Sequence, residues 1–554
     1  MPKIILDHLV KRWNNFYGVD DLSVTIDDNA FVTLLGPSGC GKTTTLRMIA
    51  GLETPTSGRI SIGDQVVFDS ARGIDVPPNK RKVGFLFQNY ALWPNMTVEK
   101  NIMFGLANIN EDLPMVSDPA VYARSMLRAL SNPRELRDLI MESNAKGKVD
   151  EAAARKRLMD HYLLTEKGAR DVLSLGVEGL SVRSTEDSPA AIKQAIARYN
   201  EVIDQERKKA KADGNTLNDA FEIVGADGKV IQSKRKLSKQ EIELRARRVS
   251  KMVKIGQFMD RYPSELSGGQ QQRVAIARTL APEPRVLLMD EPLSNLDAKL
   301  RLEMRTELQR LHHETGSTFV YVTHDQGEAM TLATQICLLD NAVLQQYDAP
   351  LTTYNHPVNL FTADFVGSPP INFVNARGAQ DASGAVQLEI LDGHEVSFEP
   401  IKPVDLKDWY KAADQEMADE AKYEKERSEA KGFVKKANVR SAFPYAVLTV
   451  DGDDDTIDEP KLTHEDFVLG IRPECLKVSE TGAFEGEVHA SMPTGLETTL
   501  QIRYGRFLLT SIQFGGELFE IGNPVRFDIE TSAIMLFSRE TEKLISLGSL
   551  KLLK

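Results

Sequence analysis

The chain has 554 residues, of which 42% are hydrophobic and 27% charged, and its formal net charge is -12. This length exceeds what one compact core accommodates, so we expect roughly three or four domains. The composition is that of a water-soluble globular protein and excludes an intrinsically disordered one. The acidic balance disfavours a nucleic-acid partner, because nucleic-acid binders present basic surfaces to phosphate.

The three cysteines, Cys40, Cys337 and Cys475, lie far apart and in no metal-ligand spacing. They predict free thiols in a reducing compartment. Residues 1–13 carry no apolar signal core, and no uncharged apolar run approaches the length of about 18 residues that spans a bilayer. We therefore expect any membrane role to come through a partner.

Residues 4 to about 106 are predicted to form short apolar strands around a phosphate-binding loop, followed by a helix that begins near Gly41. The loop sequence is Gly36-Pro-Ser-Gly-Cys-Gly-Lys42-Thr43, which fits the P-loop pattern. In that pattern, backbone N–H groups cradle phosphates, the lysine reaches the terminal phosphates and the hydroxyl binds Mg²⁺. The predicted nucleotide contacts are Gly36, Pro37, Ser38, Gly39, Cys40, Gly41, Lys42, Thr43 and Thr44.

Cys40 lies inside this loop, and two interpretations of it are open. The N-terminus of the following helix would lower the pKa of its thiol and make it a site of alkylation. The other interpretation, which we favour, is a small side chain that fills a tight loop. Neither interpretation makes Cys40 a catalytic residue.

From about residue 107 to 238 the sequence changes in character. Charged helical stretches are interrupted by proline and glycine, which indicates a mostly helical inserted region. Within it, residues 221–224 and 229–232 flank Gly225-Ala-Asp-Gly228 and predict a small hairpin.

Residues 239 to about 344 carry the remaining motifs. The first is Leu266-Ser-Gly-Gly-Gln270, and the second is the apolar run 286–289, which is followed by Asp290 and Glu291. Continuous apolar runs are typical of buried parallel strands. A second such run, residues 319–322, shortly precedes His324. The first predicted strand therefore ends at two acidic residues, and the second is followed by a histidine.

From residue 345 to 554, short alternating segments punctuated by Gly and Pro predict a β-rich domain. The stretch 405–436 interrupts it. This stretch is highly charged and helical in pattern, so we interpret it as a solvated insertion.

The phosphate loop, the Leu266–Gln270 signature and the acidic strand, in this order, resemble the ATP-binding cassette (ABC) ATPases. The resemblance covers nearly all of residues 1–106 and 239–344. It implies an α/β P-loop NTPase cassette with a helical subdomain, and it places the insertion 107–238 next to that subdomain. It also implies ATP and Mg²⁺ as cofactors.

The resemblance also implies roles for individual residues. Thr43 binds Mg²⁺ directly, and Asp290 holds it through water. Glu291 polarises the attacking water as general base. His324 matches the switch histidine that contacts the γ-phosphate. Gln88, in Phe87-Gln-Asn-Tyr90, senses the metal and the attacking water, and its amide can both donate and accept hydrogen bonds.

Trp13 lies where the family places an aromatic side chain against adenine. Phe16, Tyr17 or a plain core aromatic at this place remain alternatives. In the family, the signature binds ATP held by the other subunit, and Asp297 resembles a residue of the loop that lies across the same dimer seam. One cassette per chain then implies two chains per motor. The predicted signature contacts are Ser267, Gly268, Gly269 and Gln270.

The tail is similar to the linker and oligonucleotide-binding-like regulatory domain of the maltose-type carbohydrate importer ATPases. The similar segments are residues 366–373, 469–474 and 493–498. That group also serves glycerol-3-phosphate uptake, and polyamine, iron and sulfate importers carry related tails. This chain departs from the group through about 130 extra residues before the signature, and through the stretch 405–436.

These observations predict the ATPase of an importer for a carbohydrate-like solute. The expected partners are two permease subunits, an extracytoplasmic solute-binding protein and a second copy of the chain, with no nucleic acid. The expected location is peripheral, on the cytoplasmic face of the membrane. Cassette ATPases that act on DNA or ribosomes are the alternatives. DNA-acting ones use long coiled coils, which the interrupted insertion disfavours, and ribosome-acting ones normally fuse two cassettes.

Overall fold

The computed structural model describes residues 3–145, 148–176, 190–391, 393–429, 433–438, 443–450, 462–515, 518–529 and 533–553. The chain divides into two compact units. The first comprises Met1–Arg81 with Thr318–Lys554, and the second comprises Lys82–Ser317. Helices and strands are numbered below in chain order.

The N-terminal part of the first unit is mostly strands around one helix. Its elements are β1 (Ile4–Trp13), β2 (Phe16–Ile26), β3 (Phe31–Leu35), α1 (Lys42–Ala50), β4 (Ser57–Ile62), β5 (Gln65–Asp69) and β6 (Ile74–Asp75).

The second unit is mostly helical. Its elements are β7 (Val83–Leu86), α2 (Val98–Leu106), β8 (Asn110–Pro114), α3 (Asp118–Leu130), α4 (Pro133–Met141), β9 (Asn144–Ala145), β10 (Lys148–Val149), α5 (Glu151–Tyr162), α6 (Glu166–Leu173), α7 (Ala190–Ala212), β11 (Thr216–Leu217), β12 (Ile223–Val224), β13 (Gln232–Lys236), α8 (Lys239–Met252), α9 (Gly268–Leu280), β14 (Val286–Asp290) and α10 (Ala298–Thr315).

The C-terminal part of the first unit is β-rich. Its elements are β15 (Thr318–Val322), α11 (Gln326–Leu332), β16 (Gln335–Asp340), β17 (Val343–Asp348), α12 (Pro350–Asn355), α13 (Leu360–Phe365), β18 (Asn372–Gln380), β19 (Val386–Ile390), β20 (His394–Pro400), α14 (Leu406–Glu429), β21 (Asp466–Ile471), β22 (Leu476–Val478), β23 (Phe484–Pro493), β24 (Glu497–Tyr504), β25 (Phe507–Phe514), β26 (Pro524–Ile529), β27 (Ile534–Ser538) and β28 (Leu544–Leu552).

Two sheets of the first unit surround the phosphate loop. β3 pairs in parallel with β15 on one side and with β16 on the other, and β17 adds an antiparallel edge. Every residue of β3 and β15 is buried, and for β15 the apolar run 319–322 predicted this burial. The second sheet is antiparallel, in the order β2-β1-β4-β5-β6.

In the second unit, β14 pairs in parallel with β7, so the predicted acidic strand is confirmed as a buried parallel strand. Helices α3 to α7 enclose a hydrophobic core of their own, to which Met126, Leu130, Leu136, Leu158 and Ile192 belong. The inserted region therefore has the packed interior that a self-contained lobe needs.

The small hairpin predicted for residues 221–232 is only partly present. Val224 and Val230 form an antiparallel bridge, and Gly225 N–H donates to the Lys229 carbonyl at 2.9 Å. Beyond the bridge, Ile231 N–H donates to the Ile223 carbonyl at 2.8 Å. From Gln232 onward, β13 pairs with β8, which is distant in sequence, instead of with residues 221–222.

A buried arginine connects the lobe to the helices beside it. Arg247 of α8, with a side chain 6% exposed, pairs with Glu99 of α2 at 2.8 Å and with Asp160 of α5 at 3.1 Å. Burial raises the pKa of both carboxyl groups, and the Arg247 charge opposes that rise. This arginine therefore compensates two partly buried carboxylates, 29% and 30% exposed, from different parts of the unit.

Replacing Arg247 with Leu is expected to lower the free energy of unfolding of the second unit by about 3–5 kcal/mol, because Glu99 and Asp160 lose their buried partner. Chemical denaturation measures this loss. The matched control is Arg248→Leu, because Arg248 is 63% exposed and pairs with Glu283 at 3.7 Å; it should cost no more than about 1 kcal/mol. Equal losses in the two variants would contradict this role of Arg247.

The tail forms a closed barrel in the order β18-β19-β20-β28-β27-β21 and a five-stranded sheet in the order β22-β26-β23-β24-β25. The prediction of an α/β protein with a β-rich, oligonucleotide-binding-like tail is confirmed, and the tail contains a closed barrel. Helix α14 lies between β20 and β21 in the chain. The prediction that residues 405–436 form a solvated insertion is wrong at both ends of this helix. Leu406 and Tyr410 are buried in the hydrophobic core of the tail, and Arg427 is 20% exposed and pairs with Asp20 at 2.6 Å. Within the described ranges, no helix is both long and apolar enough to span a bilayer.

Candidate functional site

The phosphate loop connects β3 to α1, and its backbone requires glycine at both ends. Gly36 has φ 146°, and a Cβ there would lie 2.0 Å from the Leu339 carbonyl oxygen. Gly41 has φ 104°, and a Cβ there would lie 2.2 Å from the Gly18 carbonyl oxygen. Side chains at these positions would collide with fixed backbone. With glycine there, no side chain at either end covers the backbone N–H groups that precede the N-terminus of α1.

Lys42 is the first residue of α1, and its side chain folds back over the loop. Its Nζ donates to the carbonyl oxygens of Gly36 at 2.8 Å and of Pro37 at 2.7 Å. The residue is 6% exposed. The ammonium group is therefore buried and held at the loop, where its three donors can serve phosphate oxygens in place of carbonyls.

The environment of Cys40 decides between its two interpretations. The residue is 3% exposed, and burial raises the pKa of its thiol although the neighbouring Lys42 acts in the opposite direction. A raised pKa disfavours the reactive thiolate. Cys40 is therefore a small filler of the loop, and the idea of a lowered pKa and an alkylation site is wrong.

The candidate adenine platform lies on the β1–β2 hairpin. Trp13 is 44% exposed and Phe16 47% exposed, whereas Tyr17 is 4% exposed. The Tyr17 hydroxyl donates to the Val434 carbonyl at 2.8 Å. A ring buried in this way cannot present its face to a ligand, which leaves Trp13 and Phe16 as the exposed aromatic candidates. Lys11 Nζ lies 5.2 Å from the centre of the Trp13 ring.

In the second unit, the structure brings two of the predicted catalytic residues together. Gln88 follows β7 and Glu291 follows β14, and these strands are parallel neighbours. The Gln88 Nε2 donates to Glu291 Oε2 at 3.0 Å. Asp290, the last residue of β14, is 4% exposed. Two carboxylates, those of Asp290 and Glu291, and the Gln88 amide therefore lie at the same edge of the sheet, where these parallel strands end.

The backbone of Glu291 is unusual. Its φ is 43°, in the left-handed region that side chains other than glycine rarely adopt. Ser294 Oγ donates to the Glu291 carbonyl at 2.9 Å and helps to hold this turn. Strained backbone of this kind concentrates at functional sites, where it aims a side chain.

Sequence reasoning missed two residues that fix the Gln88 loop. Asn295 Nδ2 donates to the Gln88 carbonyl at 3.2 Å. Arg278, near the end of α9, donates to the carbonyls of Tyr90 at 2.7 Å and Ala91 at 2.6 Å. Tyr90 and Ala91 both have positive φ, so Arg278 holds a strained turn. The one available sequence signal was a cation in the last turn of the signature helix.

The signature residues surround the start of α9. Ser267 precedes the helix, and its N–H donates to Gln270 Oε1 at 2.9 Å. A Cβ on Gly268 would meet only Leu296, at 3.9 Å, whereas one on Gly269 would lie 2.4 Å from Leu300. Packing within the chain therefore explains the small size of Gly269 but leaves that of Gly268 open to another explanation.

Asp297 has a role within the chain as well. It is the N-cap of α10, and its side chain accepts the Leu300 N–H at 2.9 Å. Such caps contribute about 1 kcal/mol to helix stability. The carboxylate is exposed at the surface. Its position therefore has a structural explanation, and a contact with a second chain stays a prediction.

In the first unit, His324 is exposed just after β15. The turn that carries it is tied to Glu328, a buried carboxylate at 4% exposure. Tyr321 Oη and Thr323 Oγ1 donate to Glu328 Oε2 at 2.7 and 2.8 Å. Sequence analysis did not single out Glu328, which connects the start of α11 to two side chains that precede the histidine.

Residues 19–294 match the protein family described as ABC transporter. The trehalose/maltose import ATP-binding protein MalK of Thermococcus litoralis is 34% identical over 418 residues, which are 72% of this chain and 78% of that protein. The xylose/arabinose import ATP-binding protein XacJ of Haloferax volcanii is 36% identical over 383 residues, 69% of this chain and 65% of that protein. The maltose/maltodextrin import ATP-binding protein MalK of Salmonella typhimurium is 32% identical over 396 residues, 72% of each chain.

The chain belongs to the ABC transporter family, and the resemblance predicted from its motifs is confirmed. It is an ATP-binding protein that couples ATP hydrolysis to transport. The prediction of a P-loop cassette followed by a β-rich domain is confirmed with it.

Proposed function

We propose that this chain is the motor subunit of an importer for a carbohydrate-like solute, and that it acts at the cytoplasmic face of a membrane. The observation that carries the ATPase assignment is the hydrogen bond between Gln88 and Glu291 at the ends of two parallel strands. The cargo class rests on the three relatives, whose names specify import of maltose, trehalose, xylose or arabinose. These names favour transport over action on DNA or ribosomes.

The residues fit ATP chemistry. The backbone N–H groups of the loop from Gly36 to Gly41 and the N-terminus of α1 are suited to bind phosphate groups. Lys42 neutralises the phosphate charge. Glu291 is the general base that takes a proton from the attacking water, and the Gln88 amide orients that carboxylate. His324 contacts the terminal phosphate.

A magnesium ion fits the donor set. Mg²⁺ prefers oxygen ligands, binds few protein groups and keeps several waters. Within the second unit, the Asp290 carboxylate and the Gln88 amide oxygen are donors of this kind, and the role of the Thr43 hydroxyl rests on the family resemblance. When bound, the ion neutralises charge on the phosphate oxygens.

The partners follow from the motor role. We propose two permease subunits, an extracytoplasmic solute-binding protein and a second copy of the chain. The signature residues Ser267 to Gln270, with Asp297, then act on ATP held by that second copy. Glycerol-3-phosphate belongs to the same cargo class, and polyamine, iron and sulfate import are the alternatives.

Reconstitution tests the cargo. The chain is purified with its co-expressed permease, incorporated into liposomes that contain Mg·ATP, and supplied with the binding protein and a radiolabelled solute. We expect ATP-dependent uptake of maltose, trehalose or a pentose. Uptake of spermidine, ferric iron or sulfate instead of sugars would overturn the carbohydrate assignment, and uptake that needs no ATP would overturn the motor role.

Replacing Gly268 with Leu is expected to spare ATP binding to the single chain and to abolish cooperative hydrolysis. A Cβ at this position meets nothing closer than Leu296, at 3.9 Å, within its own chain, and the leucine side chain would block the approach of a second chain. Isothermal calorimetry and phosphate release measure the two properties. The control is Ser264→Leu, at an exposed position just before the signature, which should keep both.

Mixed dimers decide whether the signature acts in trans. When one chain carries Lys42→Ala and the other carries Gly268→Leu, both defects should fall on the same one of the two nucleotide sites, leaving the other intact. If each defect instead stays with the nucleotide of its own chain, the paired arrangement is wrong.

A further inference from the structure

The β1–β2 hairpin, which carries Trp13, is bonded to the segment inserted between β20 and β21 of the barrel. Tyr17 N–H donates to Asn438 Oδ1 at 3.0 Å, and Asn438 Nδ2 donates to the Tyr17 carbonyl at 2.9 Å. Ala437 N–H donates to the Asn15 carbonyl at 2.8 Å. The inserted segment thus pairs with the backbone of the hairpin much as an added strand would.

Charge reinforces this attachment. The Asp20 carboxylate, 13% exposed, accepts from Arg427 Nη2 at 2.6 Å and pairs with Lys436 Nζ at 3.2 Å. Lys436 Nζ also donates to the Asn341 carbonyl at 3.1 Å. Burial would lower the pKa of Arg427, but its bond to Asp20 raises it, so the guanidinium stays charged. Salt screens such enclosed pairs much less than exposed ones.

Two tyrosines complete the attachment. Tyr423 Oη donates to Asp21 Oδ2 at 2.8 Å, and Tyr17 Oη donates to the carbonyl of Val434 at 2.8 Å. The inserted segment therefore contacts the hairpin through hydrogen bonds, ion pairs and a buried ring. We call its contributing residues the hairpin clamp; they are Tyr423, Arg427, Val434, Lys436, Ala437 and Asn438.

The hairpin in turn lies against the phosphate loop. A Cβ on Gly18 would lie 2.5 Å from the Trp13 ring, so that ring covers the Gly18 backbone. The Gly18 carbonyl is the group that a Cβ on Gly41 would meet at 2.2 Å. Gly18 is thus enclosed between the Trp13 ring and the phosphate loop. Any shift of the hairpin along its length would move Trp13 relative to that loop.

We propose that the hairpin clamp positions Trp13 for stacking on the adenine base, so that the C-terminal domain sets the affinity of the cassette for ATP. The proposal rests on the proposed ATPase function and on the adenine contact that the family resemblance implies for Trp13. The clamp residues touch neither base nor phosphate; they act through the hairpin. They are therefore positioning residues, and losing them should weaken binding of the base while leaving the phosphate chemistry unchanged.

The test uses the full-length chain with Asn438→Ala or Arg427→Gln. Each variant should raise the KM for ATP roughly five- to tenfold, a part of what stacking on one base contributes, and leave kcat unchanged. Affinity for inorganic triphosphate, which has no base, should not change. The control is Lys425→Gln, at an exposed position of α14, which should match the unmodified chain in all three measurements.

Trp13→Ala separates this proposal from the proposed function. If Trp13→Ala leaves the KM for ATP unchanged, the adenine role itself is wrong. If Trp13→Ala raises the KM but neither clamp variant does, the clamp proposal is overturned while the adenine role stands. In the double variant Trp13→Ala with Asn438→Ala, we expect the KM for ATP to be no higher than in Trp13→Ala alone. An additive rise, or an equal loss of triphosphate binding, would show that the clamp acts on something other than Trp13 and would overturn the proposal.

Discussion

Replacing Glu291 with Gln is expected to lower ATP hydrolysis by about 10²-fold or more, because general-base catalysis contributes about 10²–10⁴-fold and an amide cannot accept the proton. Binding of ATP should persist. The glutamine is nearly the same shape and keeps a side-chain oxygen that can accept the hydrogen bond from Gln88 Nε2. Phosphate release under saturating Mg·ATP measures the loss, and calorimetry measures the binding.

The matched control is Glu303→Gln, which removes a carboxylate from an exposed position of α10. It should hydrolyse ATP like the unmodified chain. Near-normal turnover by the Glu291 variant, assayed with its permease, would remove Glu291 from the role of base.

Replacing Lys42 with Ala is expected to weaken ATP binding itself. A buried phosphate charge loses its partner, which costs on the order of 2–5 kcal/mol and raises the Kd roughly 30-fold or more. The ligand-induced rise in melting temperature should shrink accordingly, because stabilisation depends on the ratio of ligand concentration to Kd. Calorimetric titration with ATP measures the affinity directly.

Lys80→Ala controls for the general loss of a positive charge, because Lys80 is exposed in the same unit. It should bind ATP normally. An unchanged Kd in the Lys42 variant would contradict the assignment of this lysine to the phosphates. A folded variant is confirmed by its melting temperature without nucleotide, which should stay near that of the unmodified chain.

The phosphate loop and the buried strands could be predicted from sequence because local rules determine them. Gly36 and Gly41 adopt backbone conformations that only glycine tolerates well, and continuous apolar runs such as β14 fit only a strand covered on both faces. The proximity of Gln88 and Glu291 could also be predicted from sequence, because each residue follows a strand and the two strands are parallel neighbours.

The remaining contacts depend on partners far away in the chain, which no local pattern encodes. Arg278 looks like any cation at a helix end, yet it holds the carbonyls of Tyr90 and Ala91. Arg427 lies in a charged stretch typical of a solvated helix, yet it pairs with Asp20. A segment rich in charged residues predicts that most of its side chains are exposed to solvent. It does not show which of them pairs with a largely buried carboxylate elsewhere in the chain.

Gly269 illustrates a different limit. Its place in the signature predicts a contact with ATP held by another chain, a reason for glycine that lies outside its own chain. The structure supplies a reason inside the chain, because a Cβ there would lie 2.4 Å from Leu300. A sequence motif does not show whether a glycine is required by packing within the chain or by contact with a ligand. The atoms around each glycine in the structure distinguish the two reasons.

We propose that ATP joins two copies of this chain and that hydrolysis by Glu291 separates them. Light scattering of the Glu291→Gln variant after size-exclusion chromatography tests it most directly. With Mg·ATP the variant should elute at twice the monomer mass, and with Mg·ADP or after the further change Gly268→Leu it should return to the monomer. A mass that does not respond to ATP, in a protein that binds ATP normally, would contradict the claim.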